Sequence, residues 1–393
     1  MISYFSQLQR TWPQLRDFLT SEEGGAFEIR DCGETPFALI KGRHSKGEDT
    51  GTQYTFANGW FRSVVWHKEM NIPVCVAPKK SEPGLPPVGV PLEIENIVDG
   101  VMVNVFVGLD GVFHVTTRSQ YGATGRFYSE KTFHDLFYEC LSAEGFKTLA
   151  DCITGPWLPT EECPFTYISF VMQHPEHRVV SRPLRPKLVV VDAGKIRPNG
   201  DIELNRKSIW SLPNLSFSRL FVVTQDLCNF ASEMQIQEYM REATLAHGWT
   251  WQGLMFRDAA GNRWTLRSET YKYLRSLRGN EPTTLGRFLR LRATGETKEY
   301  LKHYAEDREE FRGFELTLRQ RTFAIYQAYI AVHKAHEKTL ADIPQPDKTV
   351  VFKLHAHYLA DLRPLKKAIQ MKDVVSLVNA LPLWEQKLLL SAC

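Results

Sequence analysis

Residues 93–106 read EIENIVDGVMVNVF, and residues 112–125 read VFHVTTRSQYGATG. VMVNVFV and VFHVTTR alternate or run apolar, the mark of buried or half-buried strands. Between them VGLDGVF (107–113) places Asp110-Gly111 where a hairpin turns. A second Asp-Gly pair, Asp99-Gly100, stands just ahead of the first strand. Alone it is an ordinary turn signal. What surrounds it, in order along the chain, gives it meaning.

Upstream lies NGWFRSVVWHKEMNIPVCVAPKK (58–80), with Arg62 and Lys80 as basic groups on either side of a strand-like run. Downstream come Arg118, then PFTYISFVMQHPEHRVV (164–180), WTWQGLMFRD (249–258) and NRWTLRSETY (262–271). Together these stretches resemble the phage-type RNA ligase 1 family, the tRNA-repair ligases of the covalent nucleotidyltransferase superfamily, over roughly residues 50–310. The resemblance implies an α+β fold, with a two-sheet nucleotidyltransferase domain followed by an all-helical domain. It also implies a relic nucleotide site at Arg62, Lys80, Asp99, Gly100, Arg118, Gly253, Arg267 and Ser268.

The chemical residues of that family are missing. Its catalytic lysine falls on Ile97, two residues before Asp99-Gly100. Only an amine forms the lysyl-AMP phosphoramidate, and isoleucine offers no nucleophile. One family glutamate falls on Ser169 or Val171, depending on a small gap. The other falls on Gln252, and the first lysine of the phosphate-contacting strand is Thr265. Tyr271 and Ser268 are kept. Mg²⁺ prefers hard carboxylate and phosphate oxygens, so loss of both glutamates implies no metal site. Lost charge-assisted contacts imply weak or absent ATP affinity. The expectation is therefore a chain with no catalytic residues and no cofactor. ATP and Mg²⁺ enter only if an active ligase uses another amine, with Lys79 and Lys80 nearest.

Composition sets the outer limits. The 393 residues suffice for two domains, and 43% hydrophobic with 12% aromatic residues suits a globular chain. No apolar run approaches the length of a bilayer span, and MISYFSQLQRTWPQLRDFL reads as an amphipathic helix rather than a signal peptide. Cysteines at 32, 75, 140, 152, 163, 228 and 393 form no C-x-x-C pair, which suits a reducing compartment. A cytoplasmic or virion location, with no membrane partner, is the expectation. No P-loop, G-x-S-x-G or G-x-G-x-x-G occurs.

Net charge is only +3, but residues 263–292 gather eight basic side chains against Glu269 and Glu281. Arg267, Arg275, Arg278 and Arg287 are the candidates for following an RNA backbone. The competing reading is a solvated helix face that pairs with EDREE (306–310). The pairs His174/His177, His333/His336 and His355/His357 have spacings that could share a metal but no nearby Cys or acidic third ligand at metal spacing, so ordinary surface or core histidines are the expectation.

Strands are expected at 37–41, within 50–130, and at 165–172, 187–192, 250–256 and 263–267. Helices are expected at 5–20, 129–151 and 225–247. From about 282 the chain turns helical, with Thr284 and Thr297 opening helices and a long run over 306–340. Phe311, Phe314, Leu318, Phe323, Tyr326, Tyr329 and Ile330 are its expected buried stripe. Shorter helices follow at 349–362, 363–371, 373–380 and 382–391. Domain boundaries are placed at 1–281 and 282–393. Three functions compete: an inactive RNA-ligase-like protein kept as part of a viral particle or ribonucleoprotein, an atypical ATP-dependent RNA ligase, and a non-catalytic RNA-binding protein. Assembly partners and RNA are the expected partners.

Overall fold

The computed structural model describes residues 1–43, 52–55, 57–87, 93–204, 218–219 and 233–391. The chain divides into two compact units, Met1–Arg275 and Ser276–Cys393.

The first unit opens with α1 (Trp12–Thr20), shorter than the helix expected over 5–20. Gln9 sits at a left-handed φ of 45°, and Pro13 occupies the first turn of α1, where its missing N–H costs nothing. The Thr11 N–H donates to Gln14 Oε1 at 3.0 Å, and Trp12, Leu15 and Leu19 are buried. Next comes an antiparallel sheet of β1 (Glu28–Asp31), β2 (Phe37–Lys41), β3 (Ser63–His67) and β4 (Ile72–Val76). TQYTF does not form a strand at residues 52–55, and Phe56 lies outside the described residues.

Two further sheets shape the cleft. One runs β5 (Glu82–Pro83), β14 (Arg263–Arg267), β13 (Gly253–Arg257), β6 (Glu93–Asn96), naming strands in chain order. The other runs β11 (Ile202–Leu204), β10 (Lys187–Ile196), β9 (Phe165–Gln173), β7 (Val101–Gly108), β8 (Phe113–Thr117), with β12 (Ser218–Arg219) parallel to β10. The described residues of this unit therefore form three sheets, not the two expected. The additional one draws Phe37, Trp60, Phe61 and Trp66 into a core shared with Phe106, Phe165 and Tyr167 of the large sheet.

β6 and β7 are consecutive in sequence yet belong to different sheets. Residues 97–100 carry the chain across, which makes the Ile97–Gly100 segment a joint between layers. The hairpin expected at Asp110-Gly111 is present: the Gly111 N–H donates to Gly108 O at 2.9 Å, with Gly111 at φ 73°. Behind the large sheet, α2 (Phe133–Ala143) buries Leu136, Phe137, Cys140 and Leu141 against Val103, Val105 and Phe170. The helical stretch expected to reach 151 breaks at Gly145 (φ 93°) and resumes as α3 (Leu149–Cys152). Behind the other sheet, α4 (Glu233–His247) packs Met240 and Ala243 on Leu254, Phe256 and Trp264. Within the expected helix at 225–247, residues 225–232 lie outside the described ones. The five described cysteines are all buried and free.

Helices joined by turns and loops, with no strand, make up the described residues of the second unit. α5 (Glu269–Arg278) leads into it, followed by α6 (Thr284–Thr294), α7 (Thr297–His303), α8 (Arg308–His333), α9 (Asp347–His357), α10 (Met371–Ala380) and α11 (Leu383–Ser391). Thr283, not Thr284, caps α6, accepting from the Gly286 N–H at 3.2 Å. No helix forms at 363–370. The buried stripe of α8 is Phe311, Leu318, Thr322, Ile325, Tyr329 and Val332. Steps of seven, four and three hold one face of a helix. Phe323 is off that face and 52% exposed, contrary to expectation.

The His333 and His355 rings stack at 3.8 Å between centroids and 5° between planes, with Tyr329 and Tyr358 beside them. Burial, then the His355 and His336 charges, holds His333 below the usual histidine range. The unfolded chain therefore binds a proton before the folded one does. Stability of this unit is expected to fall as pH drops through about 6.5. His333→Phe should flatten that slope in thermal melts at a series of pH values, and an unchanged slope would remove the pair as its cause.

Candidate functional site

The joint is fastened on both sides. On one, the Ile97 N–H donates to Gly253 O at 2.9 Å. On the other, Gln173 Nε2 donates to Asp99 O at 2.7 Å. The Asp99 carboxylate accepts from the Val180 and Ser181 N–H groups (2.9 and 3.0 Å) and from the Tyr271 hydroxyl at 2.6 Å. Burial, then the Asp99 charge, pushes the Tyr271 phenol up. Two glycines are required by close approach. A Cβ at Gly100 would stand 2.4 Å from Met172 O, and one at Gly253 would stand 2.2 Å from Leu266 O. The Ser268 N–H donates to Gln252 O, and its own carbonyl accepts from the Lys272 N–H, starting α5. Asp99, Gly100, Gly253, Ser268 and Tyr271 thus have work in the frame that needs no nucleotide.

Strand parity then decides what faces the cleft. From the strands of one sheet come Glu95, Met255, Arg257, Arg263 and Arg267, with Ile97 and Gln252 from just outside β6 and β13; Arg62 and Arg118 join them from other elements. Ile94, Leu254, Phe256 and Trp264 point the other way, into the core. The floor is apolar: Val171, Val189 and Val191, with Val98 and Met102 against them. These residues enclose a lobe of about 190 Å³. A larger lobe of about 590 Å³ shares Arg62, Asp99, Arg118, Gln252 and Arg267 with it.

Five arginines line the smaller lobe. The charges that reach the Arg62 guanidinium are chiefly those of Arg118, Arg263 and Arg267. Burial first, and then these neighbours, bring it down to about 9, so it remains a cation at neutral pH. Arg263 is brought to about 9 by burial and then by Arg257. Guanidiniums crowded in this way, with fork geometry suited to phosphate, make a site for a polyanion. Gln252 is buried on the wall of both lobes, and its Oε1 has no hydrogen-bond partner.

The positions where the resemblance expects chemical residues are all in or beside the cleft. Ile97 and Val171 line it. Ser169 sits in a cross-strand row with Asn104 and Asp192, donating to Asn104 Oδ1 at 2.7 Å. The Thr265 hydroxyl reaches Glu82 O at 3.4 Å. Lys79 donates to Asn262 Oδ1 at 2.9 Å and stands 5.6 Å from the Trp60 ring centre. Lys80 lies 5.4 Å from the Tyr54 ring, its amine lowered by burial and then by Arg62, Arg118 and Arg267. Neither lysine lines the smaller lobe.

Two of the RNA candidates do not face a nucleic acid. Arg287 is 3% exposed, paired with Asp307 at 2.6 Å and bonded to the Tyr300 hydroxyl. Arg278 is also buried, over the Tyr304 ring. Arg290 pairs with Glu281 and Arg292 with Glu315. The basic cluster therefore splits: Arg263, Arg267 and Arg275 line the cleft, whereas Arg278, Arg287, Arg290 and Arg292 are engaged by residues of the helical unit.

Sequence reading missed Glu95, Asp192 and Arg257. Arg257 and Asp192 form an ion pair at 3.2 Å, each under 5% exposed. Alternation along β6 and β13 was the available signal. It also missed that Glu139 and Glu176 come up to His174, the one described trio at metal-binding range. Lys131 already bridges both carboxylates, at 2.9 and 2.7 Å. In the cleft, the Asp99 carboxylate already accepts three hydrogen bonds and Val171 offers no oxygen, which leaves Glu95 as the other carboxylate on the wall of the smaller lobe.

No family model and no curated protein matches the chain. Among solved structures it is similar to two forms of an archaeal ATP-dependent RNA ligase, at 14% and 13% identity, with a TM-score of 0.39 for each. Each overlap covers 79% of this chain and 78% of the other. Overlaps this shallow carry no functional weight, and the cleft itself must. No described helix is long and apolar enough to cross a membrane.

Proposed function

We propose that this chain is an RNA-ligase-like protein that no longer forms a covalent nucleotide adduct and is retained as a binding or structural component of a larger assembly, such as a viral particle or ribonucleoprotein. The observation that carries this is the wall of the smaller lobe, which holds five guanidiniums and no primary amine. A guanidinium is not a nucleophile at neutral pH. Ile97 supplies a methyl-bearing surface where the amine would have to stand. The reading requires no ATP and no metal.

The frame supports the second half of the proposal. Residues that hold the joint are in place and engaged, whereas residues that would do chemistry are replaced in four separate segments. A fold kept without its turnover is what a building block needs. The density of arginines favours RNA as one partner.

Incubation with labelled ATP and a divalent metal tests the central point. No band that survives denaturation is expected. An acid-labile band mapped to Lys79 or Lys80 would overturn the proposal in favour of an atypical active ligase.

A further inference from the structure

The larger lobe carries an arrangement that nucleotidyl transfer does not explain. Its wall includes Lys41 and five arginines, Arg62, Arg118, Arg126, Arg267 and Arg275, against one carboxylate, Asp99. Asp99 is held by three hydrogen bonds from neutral donors, and its single negative charge is outnumbered by the six cations. Opposite this charge stand rings. Phe127 and Tyr128 are 4.2 Å apart at their centroids, and Tyr128 and Phe133 lie 5.2 and 5.3 Å from His177. All four line the lobe, and Phe127, Tyr128 and Phe133 are half-buried rather than sealed in a core.

That ring cluster is held rigid. The Phe133 and His134 N–H groups donate to Gly125 O and Ala123 O at 2.9 and 2.8 Å. Lys131 and Ser129 both hold Glu176, at 2.7 and 3.1 Å, pinning the segment to the end of β9. Tyr128 takes a φ of 65°, a left-handed conformation uncommon for an aromatic residue. Strain of that kind persists where the surroundings over-determine it, and it gathers at binding sites. A fixed aromatic surface loses little entropy when a flat partner stacks on it.

We infer that the larger lobe seats a single-stranded polynucleotide, with unpaired bases stacking on Phe127, Tyr128 and Phe133 and the backbone phosphates held by Arg118, Arg126, Arg267 and Arg275. This rests on the reading of the cleft as a phosphate-binding site, but not on the loss of adenylylation. Rings beside a basic groove are how unpaired strands are held without sequence preference. The volume, about 590 Å³, lies within the range of roughly 300–1,000 Å³ typical of enclosed ligand sites. A paired helix keeps its base faces stacked inside and gains nothing from the rings.

The test is fluorescence anisotropy with the full chain and short labelled oligo(A), as RNA and as DNA, over a salt series. Binding that weakens with salt is expected. Phe127→Ala with Tyr128→Ala should lower affinity by about 10–100-fold without changing the salt slope. Arg126→Glu or Arg275→Glu should reduce the slope itself. Tyr128→Phe, which keeps the ring, should bind as the natural protein does, and melting curves separate a lost ring from a lost fold. A tighter RNA arm assigns the lobe to RNA through its 2′-hydroxyls; equal arms assign it to either strand by base and phosphate alone. Unaltered oligo(A) binding by a folded double-alanine variant would overturn the inference. So would equal competition by duplex RNA or by poly-glutamate, which offers charge without base faces. The adenylylation assay reads separately: a labelled natural protein would end the inactive reading and leave this site standing.

Discussion

Replacing Asp192 with alanine is expected to lower the unfolding free energy of the first unit by about 3–5 kcal/mol, the usual cost of stranding one member of a buried ion pair. Asp192 sits on β10 and Arg257 on β13, so their 3.2 Å contact ties the two sheets that wall the cleft. Without the carboxylate, Arg257 is left against Arg263 in a site where its Nε already has no partner. The double change Asp192→Leu with Arg257→Met should recover most of the loss, because an apolar pair of similar volume avoids the desolvation of both charges. Urea unfolding of the four proteins closes the cycle. A cost under about 1 kcal/mol for the single change would mean that the pair is solvated and does not join the sheets.

How much of this was legible beforehand depended on whether a residue's role was local. FALIK, the hairpin at Asp110-Gly111 and the strand at 263–267 were readable because alternation and turn chemistry fix them within a few residues. Ile97, where the resemblance expects a lysine two residues before Asp99-Gly100, is placed on the cleft wall. Charge was not readable in the same way. Arg263, Arg267, Arg275, Arg278 and Arg287 look alike in sequence, yet two of them lie under the helical unit's own aromatic rings. Which arginines meet solvent is decided by packing across elements far apart in the chain. The third sheet escaped for a related reason: nothing in the strand runs between 28 and 76 says which sheet they join.

Changing Ile97→Lys, Gln252→Glu and Thr265→Lys together is expected to leave the fold intact and not to produce RNA end-sealing. Position 97 faces open space, so a lysine can lay its methylenes along Val98 and Met102 and carry its amine into the lobe. Thr265 shares the cleft face of β14 with Arg263 and Arg267, and a lysine there adds one more cation to a wall already crowded with guanidiniums. What the three changes do not rebuild is the second carboxylate. Ser169 is bound to Asn104, and Val171 is part of an apolar floor with Val189 and Val191, so nothing there holds a metal over the phosphates. Size-exclusion and melting curves like those of the natural protein, with no sealed product from RNA bearing 5′-phosphate and 3′-hydroxyl ends, are the expected readings. Sealing at a measurable rate by the triple variant would show that the floor is no obstacle and that the side chains at positions 97, 252 and 265 alone separate this chain from an enzyme.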